Sequence, residues 1–177
     1  MKKCAFLFLF VLFSNSLFCQ DVIINGTNKN RLLTWEDFTG KPDRSSSHDA
    51  NTYWKLNYSY QGVSFKGDTA KITRLTVKLE LDEKLSWIKP GKETPNLLKH
   101  EQGHFNIGLM CQIEIINQFN TAVFLRSDVQ NKLQTIFNTT LEKYKLMGIK
   151  YDEETDHSKN KESQEKWNEF FTKELLK

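Results

Sequence analysis

Two histidines separated by three residues, with a glutamate directly after the first, restrict the fold of this chain more than any other segment. The stretch is Leu97–Phe105 and contains His100, Glu101 and His104. On an α-helix, residues four positions apart lie one above the other on the same face. The two imidazoles face one point in space if this stretch is helical, so a helix is what we predict for it.

Such a pair of imidazoles suits a zinc ion. Two nitrogens on one helix face bind Zn²⁺ at about 2.0–2.1 Å, and a catalytic zinc keeps one position open for a water whose pKa it lowers to about 7. Glu101 lies beside the first histidine, where its carboxylate can take a proton from that water as general base. The pattern predicts one zinc per chain, bound by His100 and His104. With four histidines in 177 residues, this spacing would seldom arise by accident.

The flanking sequence supports this helix. Thr94 is a suitable N-cap, and Pro95 suits the first helical position. We predict one helix from Pro95 to about Phe124, or two helices with a bend near Asn120. Apolar residues recur along it at four-residue steps, which indicates a buried face; they are Ile107, Cys111, Ile115 and Phe119.

Two further helices are predicted after the motif. Ser127, with Gln130 three residues later, has the spacing of a capping box, so the second helix should start there and end at Gly148. Residues 149–158 are polar and charged, and we predict a loop. A final helix should run from about Lys161 to Leu176.

Alternation of apolar and polar residues before the motif predicts strands. Residues 52–60 and 71–82 follow this period of two, and a short strand over Val63–Phe65 fits between them. The sequence therefore predicts an α+β fold in which a small antiparallel meander is followed by, and packs against, the metal-binding helix. Upstream, residues 21–31 are expected to be a loose lead-in, and residues 40–49 have loop composition.

Length and composition indicate one globular domain. The chain is 38% hydrophobic and 12% aromatic, enough to bury one core. Residues 1–19 have a basic start and a short apolar run, and are predicted to be a secretory signal peptide. The domain would then be 20–177, secreted or periplasmic. Lipid attachment at Cys19 is one alternative, which the bulky Phe18 before it disfavours, and an uncleaved anchor is the other.

The charge balance restricts the partners. The formal charge is +3, and removal of Lys2 and Lys3 with the signal peptide leaves +1. This favours neither nucleic acid nor an anionic membrane surface. The apolar run in residues 1–19 is too short to cross a bilayer as a stable helix, so no transmembrane span is expected in the mature chain. We expect a monomer that acts on a peptide or protein substrate.

A third zinc ligand has to come from elsewhere in the chain, because a catalytic zinc takes three protein ligands. The metzincin spacing is excluded, since Ile107 and Met110 occupy the positions of its glycine and its third histidine. We favour His157, the only histidine after the motif; the competing interpretation is a solvated loop residue. The acidic alternatives are Asp152, Asp156, Glu162, Glu165 and Glu114.

Three segments resemble a known family. They are Trp35–Gly40, His100–Phe105 and Tyr151–His157, the last followed by Gln164 and Trp167. They are similar to the Trp-x-x-Phe-x-Gly, His-Glu-x-Gly-His-Phe and Tyr-Asp-x-x-Thr-x-His-Gly segments of a bacterial domain-of-unknown-function family of predicted secreted zinc-dependent proteases in the zincin superfamily. Ser158 stands where that family favours glycine. The resemblance implies a zincin-like fold, zinc-dependent peptide hydrolysis and a site role for His157.

Three functions compete at this point. The first is a secreted zinc metallopeptidase in which Glu101 activates water and Tyr151 or His157 stabilises the oxyanion. The second is a non-catalytic envelope module whose metal stabilises the fold. The third is an interaction protein without metal that uses its aromatic strand residues. Glu101 favours the first, because a structural zinc needs no general base beside it.

Overall fold

A computed structural model describes residues 19–24, 27–28 and 32–176. The strands in these ranges are β1 (Cys19–Ile24), β2 (Thr27–Asn28), β3 (Ala50–Asn51), β4 (Trp54–Ser59), β5 (Gly62–Lys66), β6 (Thr69–Thr73), β7 (Thr76–Leu81), β8 (Trp87–Ile88) and β9 (Phe124–Leu125). The helices are a 3₁₀ turn (Trp35–Asp37), α1 (Pro95–Thr121), α2 (Val129–Thr155) and α3 (Lys161–Leu175). The predicted α+β class is confirmed.

The strands form three small sheets and not one meander. The main sheet has the order β2-β1-β7-β4, in which β4 is antiparallel to β7 and β1 is parallel to it. The hairpin β5–β6 joins β9 in a second sheet, and β3 pairs with β8 in a third. The meander prediction is therefore wrong. β4 pairs with β7 because this register sets Leu56 opposite Leu79, and both side chains are buried.

Strand β1 was not predicted, because residues 21–31 were assigned to a loose lead-in on polar composition alone. It pairs with β7 from Cys19 opposite Thr76 to Ile23 opposite Glu80. The edge of β7 that β4 leaves open offers backbone hydrogen bonds to any extended segment, whatever its side chains. Apart from Cys19, the predicted signal peptide lies outside the described residues and stays a prediction.

Helix α1 begins as predicted and is continuous. The Thr94 hydroxyl accepts a hydrogen bond from the Leu97 amide at 3.2 Å, and Pro95 occupies the first turn. Proline loses nothing there, because its missing N–H would have no partner within the helix. The helix ends at Thr121, so the single-helix alternative is confirmed.

The start of α2 differs from the prediction. The helix begins at Val129, and the carboxylate of the preceding Asp128 accepts from the Leu125 amide at 3.0 Å. The predicted capping box of Ser127 and Gln130 is therefore wrong. Asp128 reaches backward and closes the turn that follows β9, which a spacing rule applied to one residue pair does not detect.

The end of α2 also differs, and this difference matters for the site. The helix passes through Gly148 and continues to Thr155, so most of the predicted loop 149–158 is helical. A glycine inside a helix costs only about 1 kcal/mol relative to alanine. Burial of Tyr144 and Tyr151 on either side of it outweighs that cost, since each buried aromatic contributes more.

Helix α3 closes the domain. It runs from Lys161 to Leu175, close to the predicted range, and Asn160 caps it by accepting from the Ser163 amide at 3.1 Å. Gln164 and Phe171 are its buried residues. None of the helices that the structure describes has the length and apolar character needed to cross a membrane.

The core lies between α1 and the main sheet. Gly108 lets the helix approach closely, since a Cβ there would lie 2.9 Å from the Trp54 ring and 3.0 Å from Leu79. The buried Gln112 side chain donates to the Val77 carbonyl at 2.8 Å and ties the helix to β7. The fully buried apolar residues of α1 are Phe105, Ile107, Leu109, Cys111 and Ile115.

The Trp-x-x-Phe-x-Gly segment forms a compact corner beside this core. Thr34 and Asp37 close the 3₁₀ turn: the Thr34 amide donates to Asp37 Oδ2 at 2.7 Å, and the Asp37 amide donates to the Thr34 carbonyl at 3.0 Å. The rings of Trp35 and Phe38 meet edge to face at 5.1 Å. The Gly40 amide donates to the Ser86 carbonyl at 2.8 Å, and a Cβ on Gly40 would overlap that carbonyl. The segment therefore has a packing role.

Replacement of Gly108 by alanine should destabilise the fold. The new methyl group would press on the Trp54 ring, and overpacking of a core costs about 1–3 kcal/mol. Gly148→Ala is the matched control: no atom lies within 4 Å of its Cβ position, so helix propensity alone should stabilise by about 0.5–1 kcal/mol. Urea unfolding followed by circular dichroism measures both changes. Equal shifts of the two midpoints would contradict this packing.

Candidate metal centre

Three histidines converge on one carboxylate. His100 and His104 face the C-terminal end of α2, where Asp152 lies. Asp152 Oδ1 is 3.1 Å from His100 Nε2, 2.9 Å from His104 Nε2 and 3.3 Å from His157 Nδ1. The structure thus brings together both motif histidines, the favoured third ligand and one of its acidic alternatives.

Charge complementarity holds Asp152 in its ionised form. Burial by itself would raise the pKa of this carboxyl, but hydrogen bonds and charge from His100 and His104 outweigh burial and keep its pKa well below the usual range. The pKa of His104 is raised in return, because the Asp152 carboxylate outweighs the loss of hydration. The centre therefore favours an ionised Asp152 carboxylate.

A buried hydrogen-bond network sets the orientation of His100. Gln164 Nε2 donates to the Tyr151 hydroxyl at 2.7 Å, and that hydroxyl donates to the His100 carbonyl at 3.1 Å. Gln164 Oε1 is consequently the atom that faces His100 Nδ1, at 3.0 Å. Because an amide oxygen only accepts, Nδ1 carries the proton and Nε2 faces the site. Sequence reasoning noted Gln164 only as part of the resemblance and assigned it no role.

Tyr151 supports His100 and does not line the cavity above the centre. Its side chain is 0% exposed, and its ring stacks on His100 with centroids 4.7 Å apart. Gly103 makes this possible, since a Cβ there would overlap the Tyr151 hydroxyl. Burial raises the pKa of the phenol. The predicted role as oxyanion stabiliser requires access that this position lacks.

Glu101 is buried but faces the same cavity. Its Oε2 accepts a hydrogen bond of 2.6 Å from Thr52 Oγ1, and its side chain is 3% exposed. Thr52 lies in the connection between β3 and β4, so a residue from the strand region holds the carboxylate of this helix residue. Thr52 is a further site residue that sequence reasoning did not identify, because only the fold brings it to Glu101.

His157 reaches the centre from a left-handed turn directly after α2. Asp156, His157 and Ser158 have φ values of 43°, 50° and 76°, in the region where a side chain costs about 1–2 kcal/mol per residue. The turn is held by the His157 amide, which donates to the Asp152 carbonyl at 3.2 Å. Glycine adopts the conformation of Ser158 without this cost, which accounts for the glycine that the resembling family favours there.

A cavity of about 560 Å³ opens over the centre. All four histidines of the chain line it, together with Glu101 and Asp152. His48, in the predicted loop 40–49, packs edge-on against the His157 ring with centroids 4.0 Å apart. Sequence reasoning gave His48 no role; the scarcity of histidine was the one signal that pointed to it.

The other acidic alternatives for the third ligand do not line the cavity. Each of them pairs with a lysine. The pairs are Glu114 with Lys143, Asp156 with Lys159, Glu162 with Lys166 and Glu165 with Lys99. Among the acidic residues considered, Asp152 alone remains beside the histidines.

The side chains present fit a zinc ion. Zinc prefers imidazole nitrogen and carboxylate oxygen, and neighbouring ligand atoms of its tetrahedron lie about 3.3 Å apart when the bonds are about 2.0–2.1 Å. The contacts of 2.9–3.3 Å between Asp152 Oδ1 and one nitrogen of each imidazole are of this size. Among the described residues, the ligand atoms of His100, Asp152 and His157 all lie within 4.8 Å of one another. Within the described ranges, His157 Nδ1 is buried without a hydrogen-bond partner, because its approach to Asp152 lacks hydrogen-bond geometry.

Comparison with known proteins finds one family. The model of a family described as "Bacterial protein of unknown function (DUF922)" matches residues 23–158. The matched range includes the 3₁₀ corner, the motif helix and the left-handed turn. No curated protein and no solved structure matches the chain.

Replacement of Ser158 by glycine should stabilise the protein by about 1 kcal/mol. The change removes the left-handed cost of about 1–2 kcal/mol and adds a smaller entropic cost. Ser163→Gly is the control, since the same substitution in the first turn of α3 should destabilise. Thermal unfolding measures both. A Ser158→Gly variant that is less stable than the parent would mean that Ser158 does not adopt the left-handed conformation.

Proposed function

We propose that this chain, which belongs to the bacterial DUF922 family of unknown function, is a secreted or periplasmic zinc-dependent hydrolase that cleaves peptide bonds. The observation that supports this most strongly is the approach of three imidazoles to the Asp152 carboxylate in the lining of an open cavity. Glu101 lines the same cavity, as a general base must. The predicted zincin-like fold and the signal peptide 1–19 are part of the same proposal.

In this proposal His100, His104 and His157 would hold the ion. When bound, zinc supplies a Lewis acid and a water of lowered pKa. Asp152 lies next to all three imidazoles, and its carboxylate would add negative charge beside the bound ion. The rival assignment makes Asp152 the third ligand and leaves His157 free.

The remaining residues have roles in proton transfer and charge stabilisation. Glu101 accepts a proton from the attacking water, while Thr52 keeps its carboxylate pointed into the cavity. Because Tyr151 is buried, the donor to the oxyanion has to be another group. His48 lines the cavity and is half-buried, so it meets this requirement better.

A structural zinc is the second candidate function, and the closeness of Asp152 to all three histidines favours it. If Asp152 and all three histidines bound the ion together, the four ligands would close the tetrahedron and leave no position for water. Glu101 distinguishes the two functions. It is needed for turnover in a hydrolase and has no task at a closed site.

Glu101→Gln and His157→Ala should differ in whether zinc is lost together with turnover. The first keeps the ligands but removes the proton acceptor, so zinc should stay at one per chain while turnover falls by about 10²–10⁴-fold. The second removes a ligand, so zinc and turnover should be lost together. Metal analysis and a peptide-cleavage screen measure both. Glu93→Gln is the control, an exposed glutamate just before α1.

Three other outcomes would change the proposal. Retention of full zinc content in the His100→Ala and His104→Ala double variant would place the ion elsewhere. Zinc loss in Asp152→Asn combined with retention in His157→Ala would make Asp152 the third ligand. Unchanged hydrolysis by Glu101→Gln, with an active parent, would remove the peptidase assignment from this site.

Gln164→Leu should weaken zinc binding by about 10–100-fold, because the neighbour that sets the protonated nitrogen of His100 is lost. Gln112→Leu is the matched control: it also removes a buried amide, but one that binds the Val77 carbonyl in the core. Zinc titration against a chelating dye, on variants shown to be folded, measures the difference. Equal zinc affinities for the two variants would contradict the orienting role.

A further inference from the structure

Packing explains two of the three glycines inside α1 and α2 and leaves the third without a reason. A Cβ on Gly103 would overlap Tyr151, and a Cβ on Gly108 would press on Trp54. At Gly148 no atom lies within 4 Å of the Cβ position. Since glycine weakens a helix interior, its presence at this position calls for another explanation.

Gly148 lies on the wall of the cavity, one turn from the metal centre. Lys145, Gly148, Ile149 and Asp152 all line the cavity, and their spacing is that of one helix face. At 1.5 Å per residue, Gly148 is about 6 Å along the helix axis from Asp152, and Lys145 is about 10 Å from it. The missing side chain leaves a gap in the wall beside the atoms that would hold the ion.

A positive charge lies at the far end of this gap. Lys145 Nζ approaches Glu142 only to 4.0 Å, and both side chains are exposed, so the pair contributes little and the ammonium group is available. Apart from the two acids of the centre, Asp49 is the acidic residue of the cavity lining. The other lysines of the lining are Lys92 and Lys159.

We infer that Gly148 and Lys145 form a specificity subsite for a long side chain that ends in a carboxylate. A glutamate in the substrate, next to the bond that is cleaved, would pass through the gap at Gly148 and place its carboxylate near Lys145. Ile149 supplies apolar contact to the methylene groups of that side chain. The inference rests on the proposed function and names its substrate class: peptides with an acidic residue beside the scissile bond.

Binding without cleavage tests the subsite directly. The zinc-loaded Glu101→Gln protein is titrated calorimetrically with blocked alanine hexapeptides that carry glutamate, glutamine or alanine at the third position. We expect the glutamate peptide to bind most tightly. Tight binding of the glutamine and glutamate peptides with equal affinity would overturn the acidic selectivity.

Substitutions of Gly148 in the Glu101→Gln protein test whether a long substrate side chain needs the space at Gly148. Gly148→Leu should weaken binding of the glutamate peptide by about tenfold or more. Binding of the all-alanine peptide should be nearly unchanged, because only the long side chain needs the space. Gly148→Ala should raise the urea midpoint and retain most of the glutamate affinity. Zinc content should be the same in both. Equal losses for the two peptides in Gly148→Leu would overturn the subsite.

The Lys145 variant tests the charge. Lys145→Met should lower the preference for glutamate over glutamine by about fivefold at low salt, the effect of one partly exposed ion pair. Lys150→Met is the matched control on the same helix, since Lys150 pairs with Glu154 and does not line this cavity. A preference that survives in Lys145→Met would overturn the role of Lys145.

Failure of this inference is distinguishable from failure of the proposed function. If the parent cleaves peptides without regard to glutamate and the Gly148 variants bind as the parent does, the hydrolase stands and the subsite falls. If peptide binding depends on Gly148 and Lys145 but the parent cleaves no peptide, the subsite stands and the hydrolase falls.

Discussion

The close packing of α2 on α1 at Gly103 is the contact on which the site depends. Because Gly103 has no side chain, the Tyr151 ring lies flat on His100 and its hydroxyl reaches the His100 carbonyl. The same approach carries Asp152, the next residue of α2, to the imidazoles of both motif histidines. A larger residue at position 103 would push the two helices apart and separate Asp152 from the histidines, so Gly103 is part of the candidate site.

Local sequence patterns predict much of the fold. They fail where the structure depends on contacts between segments that are far apart in the chain. The start of α1 is determined by Thr94 and Pro95 alone, and the alternation over residues 52–82 located the strands. Strand pairing depends on which edges meet, so neither the separate hairpin sheet nor strand β1 could be read from the alternation. Gly148 is a stop signal by local rules, but the buried aromatic residues around it carry the helix onward.

The site residues likewise include some that local spacing predicts and others that only the fold brings together. His100, Glu101 and His104 are neighbours on one helix turn, so their spacing is sufficient to bring them together. Asp152 and His157 were among the candidates, but only the extension of α2 aims them at the centre. Residues that act through a hydrogen bond across the fold, Thr52 to Glu101 and Gln164 to His100, leave no spacing signal at all. His48 likewise reaches the cavity only because its loop folds over His157.

The hydrogen-bond network also bears on whether a cation belongs in the centre. With Nδ1 of His100 donating to Gln164, a neutral His100 would turn the lone pair of Nε2 toward Asp152 Oδ1 at 3.1 Å, and two acceptors would face each other. A bound dication would accept the lone pair of Nε2 and so relieve this contact. The orientation that Gln164 imposes on His100 is therefore the one that a metal ligand would require.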